Sequence, residues 1–154
     1  CGMRALSLWQ PWASLVAVGA KRIETRSWGT SYSGRVAIHA ARRTPRNEAF
    51  QGHFFELALE ALGTSDFENL PRGVVLAVAT LSHSDRLIVV PGLEGGTPLA
   101  ECETIFGDFR PGRFAWFLYD IVPLAEPLPL RGQRGLWRIG GDAERWITER
   151  LVAA

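Results

Sequence analysis

Lysine is almost absent from this 154-residue chain: of 17 basic residues, 16 are arginine and the other is Lys21. Cysteine is scarce as well. Cys1 and Cys102 are too few for a disulfide scaffold, and no CxxC or Cys/His cluster has the spacing of a structural zinc site. A reducing, cytoplasmic setting is the resulting expectation. Three scattered histidines without HxH or HExxH spacing argue against a catalytic metal, and no cofactor is expected. GxSxG and GxxxxGK are both missing, which excludes the serine-hydrolase elbow and the phosphate-binding loop. The longest apolar runs, such as residues 74–79, fall far short of the roughly 20 residues that span a bilayer, so no membrane is expected as a partner. No charged-then-apolar leader opens the sequence, and Met3 is a candidate natural start behind Cys1 and Gly2.

What is present fits one buried core: 47% of residues are apolar and 21% charged. Without repeats, low-complexity tracts or a Ser/Gly linker, residues 1–154 are expected to form a single domain. The net charge of +1 is far from the strongly basic balance of a protein that coats duplex nucleic acid, so any nucleic-acid role needs a local patch. Charge is in fact uneven. Residues 1–50 hold eight basic and two acidic side chains, residues 51–109 two and nine, and residues 110–154 seven and five. Either a positive face is built by the first third and the 110–138 region, or the halves of a solvated surface simply attract.

Periodicity gives a coarse outline. Strands are predicted over 3–9, 21–28, 35–41, 73–81, 114–122 and 136–139, and helices over a stretch opened by Gln10-Pro11-Trp12 and running to about Val18, with Pro11 near a first helical position, and over 46–62, 98–106 and 142–152. Gly19 is placed as a helix stop, and Pro127 and Pro129 limit their segment to an edge or an extended link. Strands and helices without a regular βαβ rhythm predict an α+β fold, a small mixed barrel with flanking helices.

The densest polar cluster is Gly19-Ala20-Lys21-Arg22-Ile23-Glu24-Thr25-Arg26. On a strand, Arg22, Glu24, Arg26 and Trp28 share one side while Ile23 and Thr25 share the other. Glu24 then lies between two guanidiniums whose spare donors suit a phosphate or a base edge. Lys21 has the other parity but sits at a helix-to-strand junction, from which its ammonium can reach the same pocket. The competing reading is an exposed salt-bridge ladder on an edge strand.

Together with the opening Ser7-Leu8-Trp9-Gln10-Pro11-Trp12-Ala13, the run Ala37-Ile38-His39-Ala40-Ala41 and the later Gly112-Arg113-Phe114-Ala115-Trp116, the GxKxxExR spacing of residues 19–26 resembles the ASCH (activating-signal-cointegrator homology) domain family. The resemblance covers roughly residues 4–140, with a helical insertion at about 44–70. It implies a PUA-like β-barrel, a cleft beside the first helix lined by Lys21, Glu24 and Arg26, and an association with RNA. Some small members resemble hydrolases of N4-acetylcytidine, and at least one looks like a ribonuclease. In the acetylcytidine hydrolases the nucleophile is a Thr three residues after the motif Lys; here that position is Glu24, with Thr25 adjacent. A Glu24-activated water beside Lys21 is the remaining chemistry. The family's later acid maps to Glu101, Glu103 or Asp108.

Aromatics form the second cluster. Trp12, Trp28 and Trp116 are candidates to stack an unpaired base, with Arg26 and Arg113 supplying contacts, although tryptophans of a small barrel commonly belong to the core. His39 is either a satisfied core histidine or a site residue beside the motif strand. Arg131-Gly132-Gln133-Arg134-Gly135 is a basic loop that either clamps a backbone or makes a plain turn. The function expected is a module binding single-stranded RNA or a modified nucleoside. The alternatives are a nucleoside amidohydrolase or ribonuclease using Lys21, Glu24 and Thr25, and an interaction domain without a nucleotide ligand.

Overall fold

The structure is a computed structural model that describes residues 2–43, 50–88 and 101–153. Its order is β1 (Arg4–Leu8), α1 (Trp12–Ala17), β2 (Ile23–Arg26), β3 (Gly34–Ala40), α2 (Gly52–Leu62), β4 (Val74–Arg86), α3 (Glu101–Phe106), β5 (Phe114–Pro129), β6 (Leu136–Arg138) and α4 (Gly141–Ala153). The strands make one six-stranded sheet, β2-β5-β4-β3-β1-β6, curled into a half-barrel, so the α+β expectation holds. Only the β1–β3 pair is parallel among the strand pairs of the described residues.

Strand alternation divides the core between the two faces of the sheet. Leu6, Leu8, Ile38, Ala77, Leu81 and Trp116 pack with Ala13 and Val16 of α1 on one face. Ala5, Ala37, Val75 and Val78 pack with Trp137, Ile139 and Ile147 on the other, beneath α4. Central strands covered on both sides have no solvent face to alternate toward, which explains the continuous apolar run in β4. A third cluster, Leu15, Phe50, Ala58, Phe67 and Phe106, ties the helices α1, α2 and α3 together at one end.

Some boundaries differ from expectation. The helix predicted over 46–62 starts at Gly52; Phe50 lies ahead of it, buried against Trp12 and Phe54, while residues 46–49 lie outside the described residues. The helix predicted over 98–106 is described from Glu101, and residues 98–100 also lie outside them. β2 is limited to four residues. β5 does not stop at Val122 but continues through Pro123, Pro127 and Pro129. Pairing with β2 reaches only to Phe117, opposite Ile23, so among the described residues the later half is paired to β4 alone, where a missing N–H is tolerated.

Candidate functional site

The motif begins where α1 ends. Gly19 takes φ +81°, and the amides of Ala20 and Lys21 both donate to the Leu15 carbonyl, at 3.0 and 3.1 Å. A left-handed residue at this point is inexpensive only for glycine, and it wraps the chain around the helix end so that Lys21 points inward. Lys21 is 1% exposed. Its ammonium donates to the Ile23 carbonyl at 2.6 Å and to that of Phe106 at 3.4 Å, and it lies 3.8 Å from Glu24 Oε1. On the other side of Glu24, Arg26 Nη2 stands 3.6 Å from Oε2 and donates to the Ser7 carbonyl at 2.9 Å.

Glu24 therefore sits between two cations, but they are Lys21 and Arg26. Arg22, expected as one of the pair, is exposed and lines a different cavity. Strand parity does not govern it, because residues 20–22 precede β2 and follow the helix end. Its amide donates to Glu103 Oε1 at 2.7 Å and its carbonyl accepts the Leu118 amide at 2.9 Å.

Glu24, Thr25 and Arg26 form one side of a cleft of about 590 Å³, with Trp12, Phe54 and Phe106 as its aromatic wall and Asp108 and Arg113 at its rim. Trp12 is oriented by its indole N–H, which donates to the Phe106 carbonyl at 3.0 Å. Gln10 braces the helix that carries Trp12: its Oε1 accepts the Ser14 amide at 3.0 Å and its Nε2 donates to the Pro71 carbonyl at 2.8 Å. Thr25 lines this cleft too, against the parity argument, with its hydroxyl oxygen accepting the Asp108 amide at 3.0 Å.

The three candidate acids part company. Asp108 is at the rim, bonded to Arg110 through both carboxylate oxygens and 3.3 Å from Arg113; the Arg110 hydrogen bonds pull its carboxyl down to about 2. Glu103 is buried behind Lys21, and burial pushes its carboxyl up from the ordinary value; its Oε2 has no hydrogen-bond partner among the described residues. Glu101 is exposed and pairs with His53 at 2.6 Å.

Lys21, expected to line the cleft, does not: it is buried behind Glu24, so the Lys21 cleft has that charge behind its wall and not in it. The other candidates fall outside it. Trp116 is fully buried in the core, donating to the Trp28 carbonyl at 3.1 Å and meeting the Trp28 ring edge-on at 4.7 Å, so it offers no face to a ligand. Trp28 itself is half-open and lines the neighbouring cavity, as does His39. His39 is 1% exposed, and its Nε2 lies 2.7 Å from the Leu130 carbonyl. A carbonyl only accepts, so Nε2 carries the proton; Nδ1 then accepts from the Ser7 hydroxyl at 3.0 Å, whose oxygen accepts the Trp137 indole N–H at 3.2 Å. Burial pushes the His39 pKa down. Ser7, in β1, and Trp9, one residue past its end and 46% exposed, also line the Lys21 cleft although the motif spacing does not pick them out; a tryptophan two residues after a serine at a strand end is the available signal.

Residues 6–92 match the family model described as the ASCH domain. Over 40 residues the chain is 52% identical to activating signal cointegrator 1 of Homo sapiens, and equally to that of Mus musculus, a stretch of 26% of this chain and 7% of each of those proteins. The crystal structure of ASCH from Zymomonas mobilis superposes with a TM-score of 0.55 at 19% identity, covering 99% of this chain and 94% of that one. A serine-to-alanine mutant of the Zymomonas mobilis protein gives 0.57 at 16% identity, over 96% and 95%. These structures share the fold, and with more than half of its length matched by the family model, the chain belongs to the ASCH domain family.

Proposed function

We propose that the cleft binds a single-stranded or modified base of an RNA, and that Glu24 reads it. The observation that carries this is the state of the two Glu24 oxygens. Oε1 accepts the Thr25 amide at 2.8 Å, while Oε2 of this cleft-lining residue has, among the described residues, no hydrogen bond and one ion pair, to Arg26 at 3.6 Å. A carboxylate oxygen so placed accepts an N–H from a base edge, as a carboxylate does from the exocyclic amine of cytosine. Trp12 and Phe54 supply apolar walls, and the volume lies within the range of small-ligand sites.

Hydrolysis has less support. A proton shuttle needs a group free to exchange its proton with substrate, and the Lys21 ammonium is enclosed by two carbonyls and Glu24. Thr25, adjacent to the nucleophile position of the acetylcytidine hydrolases, has its hydroxyl oxygen occupied by the Asp108 amide. Lys21 acts here as a fixed charge that orients Glu24.

The experiment is a tryptophan-fluorescence titration with nucleosides and a short single-stranded RNA, with turnover of acylated nucleosides followed in parallel. Glu24→Gln, which keeps the shape of the side chain, is expected to weaken binding about tenfold or more. Unchanged affinity in that variant overturns the assignment. Turnover that disappears in Lys21→Ala identifies a hydrolase instead.

A further inference from the structure

Beyond Arg26 a second cleft of about 610 Å³ opens between the end of β3 and the 131–135 loop that leads into β6. Arg26, Arg42, Arg131 and Arg134 line it, together with Trp9 and Trp28, and none of its lining residues is acidic. Among the described residues Arg26 has a carboxylate within ion-pair distance, whereas Arg42, Arg131 and Arg134 have none. Three arginines without a carboxylate partner therefore line one hollow beside the paired Arg26, an excess of positive charge that favours an anion there, and a chain with 16 acidic residues has placed none in the lining. Arginine suits phosphate because its planar fork donates to two oxygens at once.

The two indoles add a second requirement. Trp9 and Trp28 are 46% and 36% exposed, in contrast to the buried Trp116 and Trp137. Arg43 lies over one face of the Trp9 ring at 5.6 Å, and exposed indoles beside arginines are the elements that stack an unpaired base while its backbone is neutralised. The loop is built to lie close to the cleft floor: a Cβ on Gly132 would come 2.5 Å from His39 Cε1 and 3.0 Å from Ser7 Oγ, so the backbone passes directly over that pair. Ser7, Trp9 and Arg26 line both clefts, which makes them one continuous groove with Arg26 at its waist.

We infer that the second cleft holds the adjoining phosphate and the next base of the same strand, so that the ligand is a single-stranded oligonucleotide of two or more residues and not a free nucleoside. This rests on the base-binding reading of the Lys21 cleft, and the arms below separate the two. Affinities of the full chain are measured for a nucleoside, its mononucleotide and a dinucleoside monophosphate, in the parent and in Arg131→Gln/Arg134→Gln. Both arginines are exposed, so the fold is kept, and Arg86→Gln at the exposed end of β4 is the control.

The dinucleotide is expected to bind about tenfold tighter than the nucleoside, with the mononucleotide short of it, and the double variant is expected to remove that gain while leaving nucleoside affinity and the control unchanged. The slope of log affinity against log salt should fall by about 0.7 for the one phosphate lost. Dinucleotide binding that is unchanged in the double variant overturns the inference, as does a parent that binds nucleoside and dinucleotide equally. A mononucleotide as tight as the dinucleotide overturns the strand and leaves only a phosphate site. Dinucleotide binding that depends on the two arginines without any nucleoside binding overturns the Lys21 cleft alone and supports the second; no binding of any of the three overturns both.

Discussion

A histidine with both ring nitrogens committed titrates against its surroundings. Neutral His39 gives Nε2–H to Leu130 and takes the Ser7 proton on Nδ1; a second proton would turn Nδ1 toward a hydroxyl that already accepts from Trp137. Its folded pKa is lowered by burial. The unfolded chain therefore binds the proton first, so the contribution of His39 to stability is intact above the ordinary value of 6.5 and is lost as pH falls from there to the lowered folded value. Glu103, raised by burial, works in the opposite sense at acid pH, so the measurement is a difference: urea midpoints of the parent and of His39→Gln from pH 8 to 5. The parent is expected to lose stability faster than the variant below about pH 6.5, and parallel profiles would refute the assignment. At this scale the sequence was partly legible. Lys21, Glu24 and Arg26 could be placed together because the GxKxxExR spacing resembles the family's and because a residue at a helix-to-strand junction is not bound by strand parity. Trp116 and Arg22 could not, since whether an indole faces a core or a cleft depends on which strand lies opposite it.

At the scale of elements, the 131–135 loop is held by contact and not only by its own turn. Gly132 is irreplaceable on steric grounds: an added methyl meets a buried imidazole whose two hydrogen bonds prevent it from moving aside. Gly132→Ala is expected to destabilise the fold by about 1–3 kcal/mol, read as a shift in the denaturation midpoint. An undisturbed midpoint would mean that the loop is free to lift. The elements themselves were mostly readable, because apolar spacing marks which segments enter the core. Lengths were less so: β4 runs on through His83, Ser84 and Asp85, which a pattern of burial would end, because β5 offers Phe117, Trp116 and Ala115 as ladder partners. Hydrogen-bond partners of that kind leave no trace in local hydrophobicity.

Over the whole molecule, the curled sheet leaves the second half of β5 paired on one side among the described residues, with exposed Tyr119 and Val122 along it. An open edge with apolar side chains invites another copy to add a strand, and Pro123, Pro127 and Pro129 remove three donors from it. Replacing Pro123 and Pro127 by threonine is expected to increase self-association relative to the parent, visible as a concentration-dependent rise in sedimentation coefficient. No increase would show that the prolines do not guard this edge. The half-barrel was legible as a fold class from its irregular alternation of strands and helices, whereas the order of its strands was not, since β1 at the start of the chain pairs with β6 near its end. That pairing has a consequence for how the protein is made. The Trp137 indole that completes the Ser7–His39 chain comes 130 residues after Ser7, so a ribosome must deliver nearly the entire sequence before the floor of the arginine cleft can close. Until then β1 and β3 present that polar pair without its last donor, which arrives only with the docking of β6.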